Sequence, residues 1–336
     1  MEDVKSLMEE SGNELYKSFF AQNKFVQNHL NDIHQTWNTR YKKPSVNSFS
    51  FVNWDGVMKK QDLILEEKNA LKKVFHFEDE KLFSEKFDEA VNGNGQEWTR
   101  ITTLHSSSLI ALLCFYKIDN NNPLVYTIDG KKCIFTKSYF ECQNDIKNAP
   151  RPSNIDVVLT GKIENTNEQV ILFLESKFSE YLHGGKKDDI SDNVYGTVYN
   201  KLNNNKWIKF DKDGTKWSIH SNDDGSHYCE GIKQMISHYM GIMNGIDSGH
   251  FGKSNSESCL QSKDYKKIYL GEVLYQFRMD EKKLEDYAQI YSDLANNLNK
   301  IENSKLFVIP RLFTYKELFE KYAIDKNVRA FYFPEN

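Results

Sequence analysis

The sequence predicts an α/β or α+β fold in which helices flank a mixed central β-sheet. Three observations support this fold class. From residue 97 on, the predicted elements follow the order helix, several strands, helix, strand, helix, strand. Residues 151–178, RPSNIDVVLTGKIENTNEQVILFLESKF, contain two apolar runs joined by a polar turn, as adjacent strands do. Before residue 90, apolar residues recur at helical spacing between charged ones.

The elements are justified in chain order by periodicity and by turn residues. Helical spacing covers residues 1 to about 90, and the segment VNGNGQ at 91–96 interrupts it. A helix is expected over about 97–116, before a hairpin whose strands, 124–128 and 133–136, are joined through Asp129-Gly130. The strands and helices expected after this hairpin are strands 154–160 and 169–178, a hairpin within 206–220, helix 228–243, strand 268–277, helix 281–299, strand 306–310 and helix 315–322.

Composition shifts divide the chain. Residues 1–92 form a helical N-terminal region that we expect to pack on the core, and residues 93–336 carry the sheet. Residues 182–226 are rich in Gly, Asn, Asp and Lys and are interpreted as an insertion that holds a β-hairpin. The lysines and tryptophans of this insertion suit a loop that contacts nucleic acid. Its many acids favour a surface loop or a hairpin at a dimer interface, and a homodimer is compatible with the sequence.

Bulk properties exclude several classes of protein. The chain has 336 residues and no apolar stretch near the about 20 residues that a membrane-spanning helix needs, so we expect no membrane association. The acidic N-terminal segment has no apolar signal core, and the five cysteines are scattered without a C-x-x-C pair. These features predict a cytoplasmic protein without a zinc site. The net charge of −4 counts mildly against a nucleic-acid partner.

The triplet Glu175-Ser176-Lys177 is the strongest chemical signal, because it ends a strongly apolar strand. Side chains alternate along a strand, so Glu175 and Lys177 share one face. Asp156 begins the preceding strand and is expected to converge on Glu175 if the strands pair. Two such carboxylates need a cation between them, and Mg²⁺ prefers oxygen ligands. Asp156, Glu175 and the carbonyl of Ser176 would then hold the metal, while Lys177 orients water or stabilises the transition state.

These residues resemble the motif of the PD-(D/E)XK nuclease superfamily, whose fold is called restriction endonuclease-like. In that family a core of helix, three strands, helix and strand carries the motif on its second and third strands, and residues 97–275 follow this order. The resemblance places Asp156, Glu175 and Lys177 at the motif positions. Asn154-Ile155 stand before Asp156 where the family name implies a proline; Pro152 lies four residues upstream of Asp156.

Two helices supply further candidates by the same resemblance. Family members often add an acid from the first core helix, and Glu97 is the candidate metal ligand here. An acid at a helix start is equally explained by the helix dipole. Some members use a glutamine on the later helix to position the lysine or the substrate, which gives Gln234 that role. His238 stands one turn after Gln234, where the recombination nucleases have tyrosine, and a hydrogen-bonded structural histidine is its commoner explanation.

The resemblance implies a Mg²⁺-dependent phosphodiesterase, with Mn²⁺ as a substitute, that acts as a DNA endonuclease of the restriction or defence type. RNA stays open as a substrate. Two alternatives remain at this point. A catalytically silent domain of the same fold would bind nucleic acid or a protein partner. In the other alternative, Glu175 and Lys177 are an exposed surface ion pair of little energetic value.

Overall fold

The computed structural model describes the chain with gaps, and the chain divides into two compact units. The described residues are 24–41, 59–91, 101–179, 188–191, 196, 198, 200–202, 208–213, 216–221, 231–252, 259–277, 281–301 and 305–333. One unit comprises the chain up to Lys117 together with the residues from Ala323 on, and the other comprises Ile118–Tyr322. The boundary expected at residue 92 falls in a part of the chain that is not described, so it stays a prediction.

The elements described in the first unit are helices. They are α1 (Lys24–Tyr41), α2 (Lys60–Phe75), α3 (Glu80–Val91), α4 (Ser107–Phe115) and α8 (Lys326–Tyr332). The last of these, α8, joins the N-terminal helices through aromatic packing, in which the rings of Phe75 and Phe331 meet edge to face with centroids 5.5 Å apart. Asn327 Nδ2 donates to the carbonyl of Phe75 at the end of α2, 2.6 Å away. Asp325, just before α8, accepts from the hydroxyl of Tyr116.

The second unit contains a curled mixed sheet with helices on its flanks. In the described residues this sheet has seven strands in the order β1-β2-β3-β4-β10-β11, with β12 also paired to β10. Its strands are β1 (Leu124–Ile128), β2 (Lys131–Asn144), β3 (Ser153–Ile163), β4 (Gln169–Lys177), β10 (Lys267–Leu274), β11 (Leu306–Val308) and β12 (Phe313–Thr314). The α-helices described with full bounds in this unit are α5 (Gly231–Ser248), α6 (Glu281–Leu298) and α7 (Tyr315–Lys321).

Strand direction changes at β4. Strands β1 to β4 pair with one another in antiparallel fashion, whereas β10 runs parallel to β4. A parallel pair needs a long crossover, and the chain between β4 and β10 provides it with α5. The buried residues of α5 recur at helical spacing: Ile232, Met235, Ile236, Tyr239 and Ile242. The carboxyl ends of β4 and β10 therefore lie side by side beneath an amphipathic helix.

Smaller sheets accompany the main one. Within residues 182–226, the described strands form an antiparallel sheet: β5 (Asp188–Ser191), β7 (Lys216–Ser221) and β6 (Ile208–Asp213), in that spatial order. The strands β8 (His250–Phe251) and β9 (Leu260–Gln261) pair with each other after α5. The hairpin predicted within residues 206–220 is thus confirmed, and β5 adds a strand that the sequence did not suggest.

The central prediction, a mixed sheet flanked by helices, is confirmed. The turn Asp129-Gly130 joins β1 to β2 with φ angles of 50° and 69°, as a tight hairpin turn requires. The expected helix over 97–116 is shorter. Residues 101–106 are not helical, and α4 begins at Ser107 because the Ser106 side chain caps it by accepting from Leu109 N. Within the described residues, no helix is both long and apolar enough to cross a membrane.

Gly161 on β3 should tolerate no side chain. A Cβ there would lie 2.0 Å from the backbone carbonyl oxygen of Ile134 on β2, next to the irregularity between Phe135 and Lys137. Since backbone cannot rotate away as a side chain does, we expect Gly161→Ala to cost about 3 kcal/mol or more of unfolding free energy. A Cβ at Gly130 would meet open space, so Gly130→Ala should lose only the about 1–2 kcal/mol of unfolding free energy that its positive φ costs. Urea denaturation of both variants tests this, and equal losses would contradict it.

Glu67 on α2 should make stability depend on pH. Burial raises its pKa from 4.5 to about 8, although the Thr102 hydroxyl, which donates to Oε1 at 2.9 Å, opposes the shift. Between these values the folded chain keeps a proton that the unfolded chain releases, so stability falls as pH rises from 4.5 to about 8 and then levels off. We expect a fall on the order of a few kcal/mol.

Glu67→Gln should remove most of this slope, because the amide accepts from Thr102 and never ionises. Thermal unfolding at about pH 5 and about pH 8 measures the slope. The matched control is Glu66→Gln, which changes the exposed neighbouring acid and should retain most of the wild-type slope. Identical slopes in wild type and Glu67→Gln would show that another group causes the pH dependence.

Candidate active site

The start of β3 and the end of β4 bring the predicted acids together. Val157 of β3 pairs with Leu174 of β4, so the next position in the register sets Asp156 opposite Glu175. The backbone N–H of Ser176 donates to Asp156 Oδ2 at 2.7 Å, which fixes the Asp156 carboxyl against β4. The Ser176 hydroxyl bonds instead to the Tyr315 hydroxyl, 2.7 Å away.

Lys177 and Glu175 form a buried ion pair. Lys177 Nζ lies 2.8 Å from Glu175 Oε1, and the two side chains are 4% and 2% exposed. Lys177 Nζ also donates to Gln234 Oε1 on α5, at 2.6 Å. Gln234 is exposed and Asp156 is half-buried, so the buried pair lies directly beneath groups that reach the surface. The alternative of an exposed surface pair is therefore wrong.

The two carboxyl groups have opposite electrostatic environments. Burial alone would raise the pKa of Glu175, but the positive charge of Lys177 and the close contacts of Lys177 and His238 with this carboxylate outweigh it and lower the pKa to about 2. Burial and repulsion from Glu175 and Glu141 raise the pKa of Asp156 well above its ordinary value. Glu175 is thus held as a carboxylate while Asp156 resists ionisation. A bound cation would relieve the repulsion between these two carboxyl groups.

His238 on α5 contacts the second oxygen of Glu175. Its Nε2 lies 2.8 Å from Glu175 Oε2, and its Nδ1 is hydrogen-bonded to the Ser153 hydroxyl at the start of β3. The Nε2 and Oε2 atoms do not meet hydrogen-bond geometry, so this contact is a close electrostatic approach, not a linear hydrogen bond. His238 and Gln234 reach the same ion pair from successive turns of α5.

Glu272 on β10 belongs to the site although sequence reasoning missed it. It pairs in parallel register with Glu175, is fully buried, and accepts a hydrogen bond from the Tyr287 hydroxyl of α6. Gly231, the first residue of α5, lies against these groups. A Cβ there would be 2.7 Å from Tyr287 Oη, 3.5 Å from Lys177 Cε and 3.8 Å from Glu272 Oε2. The sequence signal for Glu272 was a single acid inside the apolar run IYLGEVL, the same anomaly that singled out Glu175.

Glu141 on β2 is a second residue that the sequence did not indicate. Phe140 pairs with Val157 and Cys142 with Ile155, which leaves Glu141 opposite Asp156. Glu141 is buried and has a φ of 49°, a conformation that is unfavourable for a residue with a side chain. Its charge contributes to the raised pKa of Asp156. Four adjacent strands therefore each place one acid at the same level of the sheet.

The structure thus brings most of the predicted site residues into one place. Those that meet at the ends of β3 and β4 and on α5 are Asp156, Glu175, Ser176, Lys177 and Gln234. Glu97 lies outside the described residues, and the helix expected to begin near it begins at Ser107.

The donor set fits a hard divalent cation. Among the described residues, no group of three or more His, Cys, Asp or Glu side chains is arranged to hold a metal ion. Mg²⁺ does not require such a group, because it is usually bound by one or two carboxylates and keeps several waters. Asp156 and Glu175 supply two carboxylates, and Glu175 Oε2 is a buried oxygen without a hydrogen bond of good geometry. These two residues, with the carbonyl of Ser176, are the candidates to hold Mg²⁺.

Comparison with known proteins identifies no relative. No protein-family model matches the chain, and neither a curated protein nor a solved structure is similar to it at a significant level.

Breaking the ion pair from one side should destabilise the fold. Lys177→Met leaves Glu175 as a buried carboxylate with its main counter-charge removed, which should cost on the order of 3 kcal/mol of unfolding free energy. The double variant Glu175→Gln, Lys177→Met removes both charges and should recover part of this loss. Urea denaturation measures all variants, with the exposed Lys162→Met of β3 as the control, expected within about 0.5 kcal/mol of wild type. A double variant less stable than Lys177→Met would contradict the expectation.

Proposed function

We propose that this protein is a metal-dependent phosphodiesterase, a DNA endonuclease of the restriction or defence type. The observation that carries the proposal is the convergence of Asp156 and the Glu175-Ser176-Lys177 triplet where β3 and β4 pair, with Lys177 held by Gln234. This is the arrangement that the resemblance to PD-(D/E)XK nucleases implies. The restriction or defence setting rests on that resemblance.

The order of elements supports a restriction endonuclease-like core. Along the chain, α4 is followed by four antiparallel strands, β1 to β4, then by α5 and by β10, which is parallel to β4; with β1 as an added edge strand, β2, β3 and β4 correspond to the three strands of the family core. The motif acids lie on β3 and β4, the second and third of these strands. In open sheets, ligands bind outside the carboxyl ends of parallel strands, and Lys177 ends β4 next to the end of β10.

The charge of the site supports a metal requirement. Four aligned acids lie at this level of the sheet: Glu141, Asp156, Glu175 and Glu272. Their combined negative charge would exceed the positive charge of Lys177 and repel a polyanionic substrate from this part of the sheet. Bound Mg²⁺ or Mn²⁺ would invert that local charge, polarise the phosphodiester and lower the pKa of a bound water. DNA is the substrate we propose, and RNA meets the same electrostatic requirement.

Each side chain has a distinct role in this proposal. Asp156 and Glu175 bind the cation through carboxylate oxygens, and β-strands hold both acids in place. Lys177 orients the attacking water or stabilises the negative charge that develops on the phosphoryl oxygens. Gln234 accepts a hydrogen bond from Lys177 Nζ and so fixes the direction of the ammonium group. Glu175 adds a second fixed contact to the same ammonium group.

Asp156→Asn provides the sharpest test of the proposal. The amide oxygen can still accept from Ser176 N, and the repulsion between two acids disappears, so the fold should be retained. Loss of a charged ligand should nevertheless lower metal-dependent cleavage by about 10²-fold or more. The measurement is the nicking of supercoiled plasmid with Mg²⁺, with Mn²⁺ and with chelator, for wild type, Asp156→Asn and the exposed control Lys162→Met.

Metal-dependent cutting by wild type and Lys162→Met, together with little cutting by Asp156→Asn, is the expected result. Cutting that survives chelator or the Asp156→Asn substitution would contradict the assignment of the site. A wild-type chain that cuts neither DNA nor RNA with either metal would favour the second candidate, a silent domain that binds nucleic acid or a protein partner.

A further inference from the structure

His238 is a buried imidazole to which the proposed metal-dependent hydrolysis assigns no role. It is 1% exposed and lies on α5 between Ser153 at the start of β3 and Glu175 at the end of β4. Both of its ring nitrogens face polar atoms of the sheet. A buried histidine with contacts on both sides usually has a structural role alone. Here the geometry of the contacts links the ring to the orientation of the Glu175 carboxylate.

Close packing of α5 on the sheet puts His238 within reach of both Ser153 and Glu175. Gly241, about one turn after His238 on α5, lies so near β2 and β3 that a Cβ there would be 3.1 Å from the Cβ atoms of Asn144 and Ser153. At the other end of the contact, Gly231 approaches Lys177 and Tyr287. The helix is therefore held at short distance at both ends of the segment that carries Gln234 and His238, which leaves the His238 ring little freedom.

Partner chemistry determines how the ring is protonated. At 2.8 Å, the lone pair of an unprotonated ring nitrogen would repel the Glu175 carboxylate, so Nε2 carries the hydrogen although the contact is not a linear hydrogen bond. In the neutral ring Nδ1 is then the acceptor, and the Ser153 hydroxyl donates to it. The Ser153 contact thus selects the form of His238 that presents an N–H to Glu175 Oε2.

Glu175 is consequently held at both oxygens. Lys177 Nζ lies at Oε1 and His238 Nε2 at Oε2, each 2.8 Å away. The terminal torsion of a glutamate is broad, so with one contact the carboxylate could rotate. Two contacts on opposite oxygens fix its plane. Each carboxylate oxygen has a further lone pair, so these contacts still leave room for a cation.

We propose that His238 is a positioning residue that orients the Glu175 carboxylate for a divalent cation, with Ser153 fixing the ring. The inference rests on the proposed function only in that the site binds such a cation. Groups that orient metal-binding carboxylates are typically worth 10–100-fold in metal affinity. Removal of the His238 N–H should therefore weaken cation binding even when the fold is intact.

The test measures binding of Mn²⁺ to the full-length chain by titration calorimetry, without nucleic acid. His238→Leu, which has no N–H, should bind Mn²⁺ about 10–100-fold more weakly than wild type. His238→Gln, whose amide can present an N–H near the position of Nε2, should recover most of the affinity. Ser153→Ala keeps the ring but frees it, and we expect a several-fold loss. Circular dichroism and urea denaturation establish that each variant is folded.

Recovery by Gln is the result that a purely structural role would not produce. Equal Mn²⁺ affinity in wild type and folded His238→Leu overturns this inference alone, and tighter binding by His238→Leu overturns it by showing that the ring competes with the metal. If His238→Leu does not fold, wild-type affinity in Ser153→Ala together with a loss in His238→Gln overturns it. A wild-type chain that binds no Mn²⁺ overturns the proposed metal site and this inference with it.

Discussion

The ion pair between Glu175 and Lys177 is the interaction on which the rest of the site depends. Removing two charges from water costs several kcal/mol for each ion, and their attraction offsets this only when further hydrogen bonds complete the network. Here Gln234 accepts from Lys177, and His238 approaches Glu175. A pair of apolar residues would fill the same space at no such cost, so stability alone does not account for a buried ion pair at this strand end.

Neighbouring elements are arranged around this pair. Antiparallel pairing of β3 with β4 brings Asp156 to one side, and parallel pairing of β10 with β4 brings Glu272 to the other. The close approach of α5 through Gly231 and Gly241 brings polar groups from one helix onto two strands. The sheet therefore aligns acids from adjacent strands, and the helix supplies the amide of Gln234 and the imidazole of His238 that contact the buried ion pair.

Local features of the sequence were sufficient for most of the elements. The Asp129-Gly130 turn, the apolar run that ends in Glu175 and the periodicity of α5 each belong to a few consecutive residues, and the structure has the expected element at each place. Boundaries were less predictable. The helix expected from residue 97 begins at Ser107, because a serine cap outweighs the propensity of the residues before it. The short strands β8, β9 and β12 carry too few residues for any periodic pattern.

The sequence by itself determined which strand carries the candidate site, because charged residues at the end of an apolar run are anomalous wherever that run is buried. It also determined that Gln234 and His238 face the same way, since helical spacing is local. Only the tertiary structure decided that Glu272 and Glu141 join Asp156 and Glu175, and that His238 touches Glu175. Those contacts depend on strand order and register across residues far apart in the chain, and pairing between distant strands leaves no signature in either strand alone.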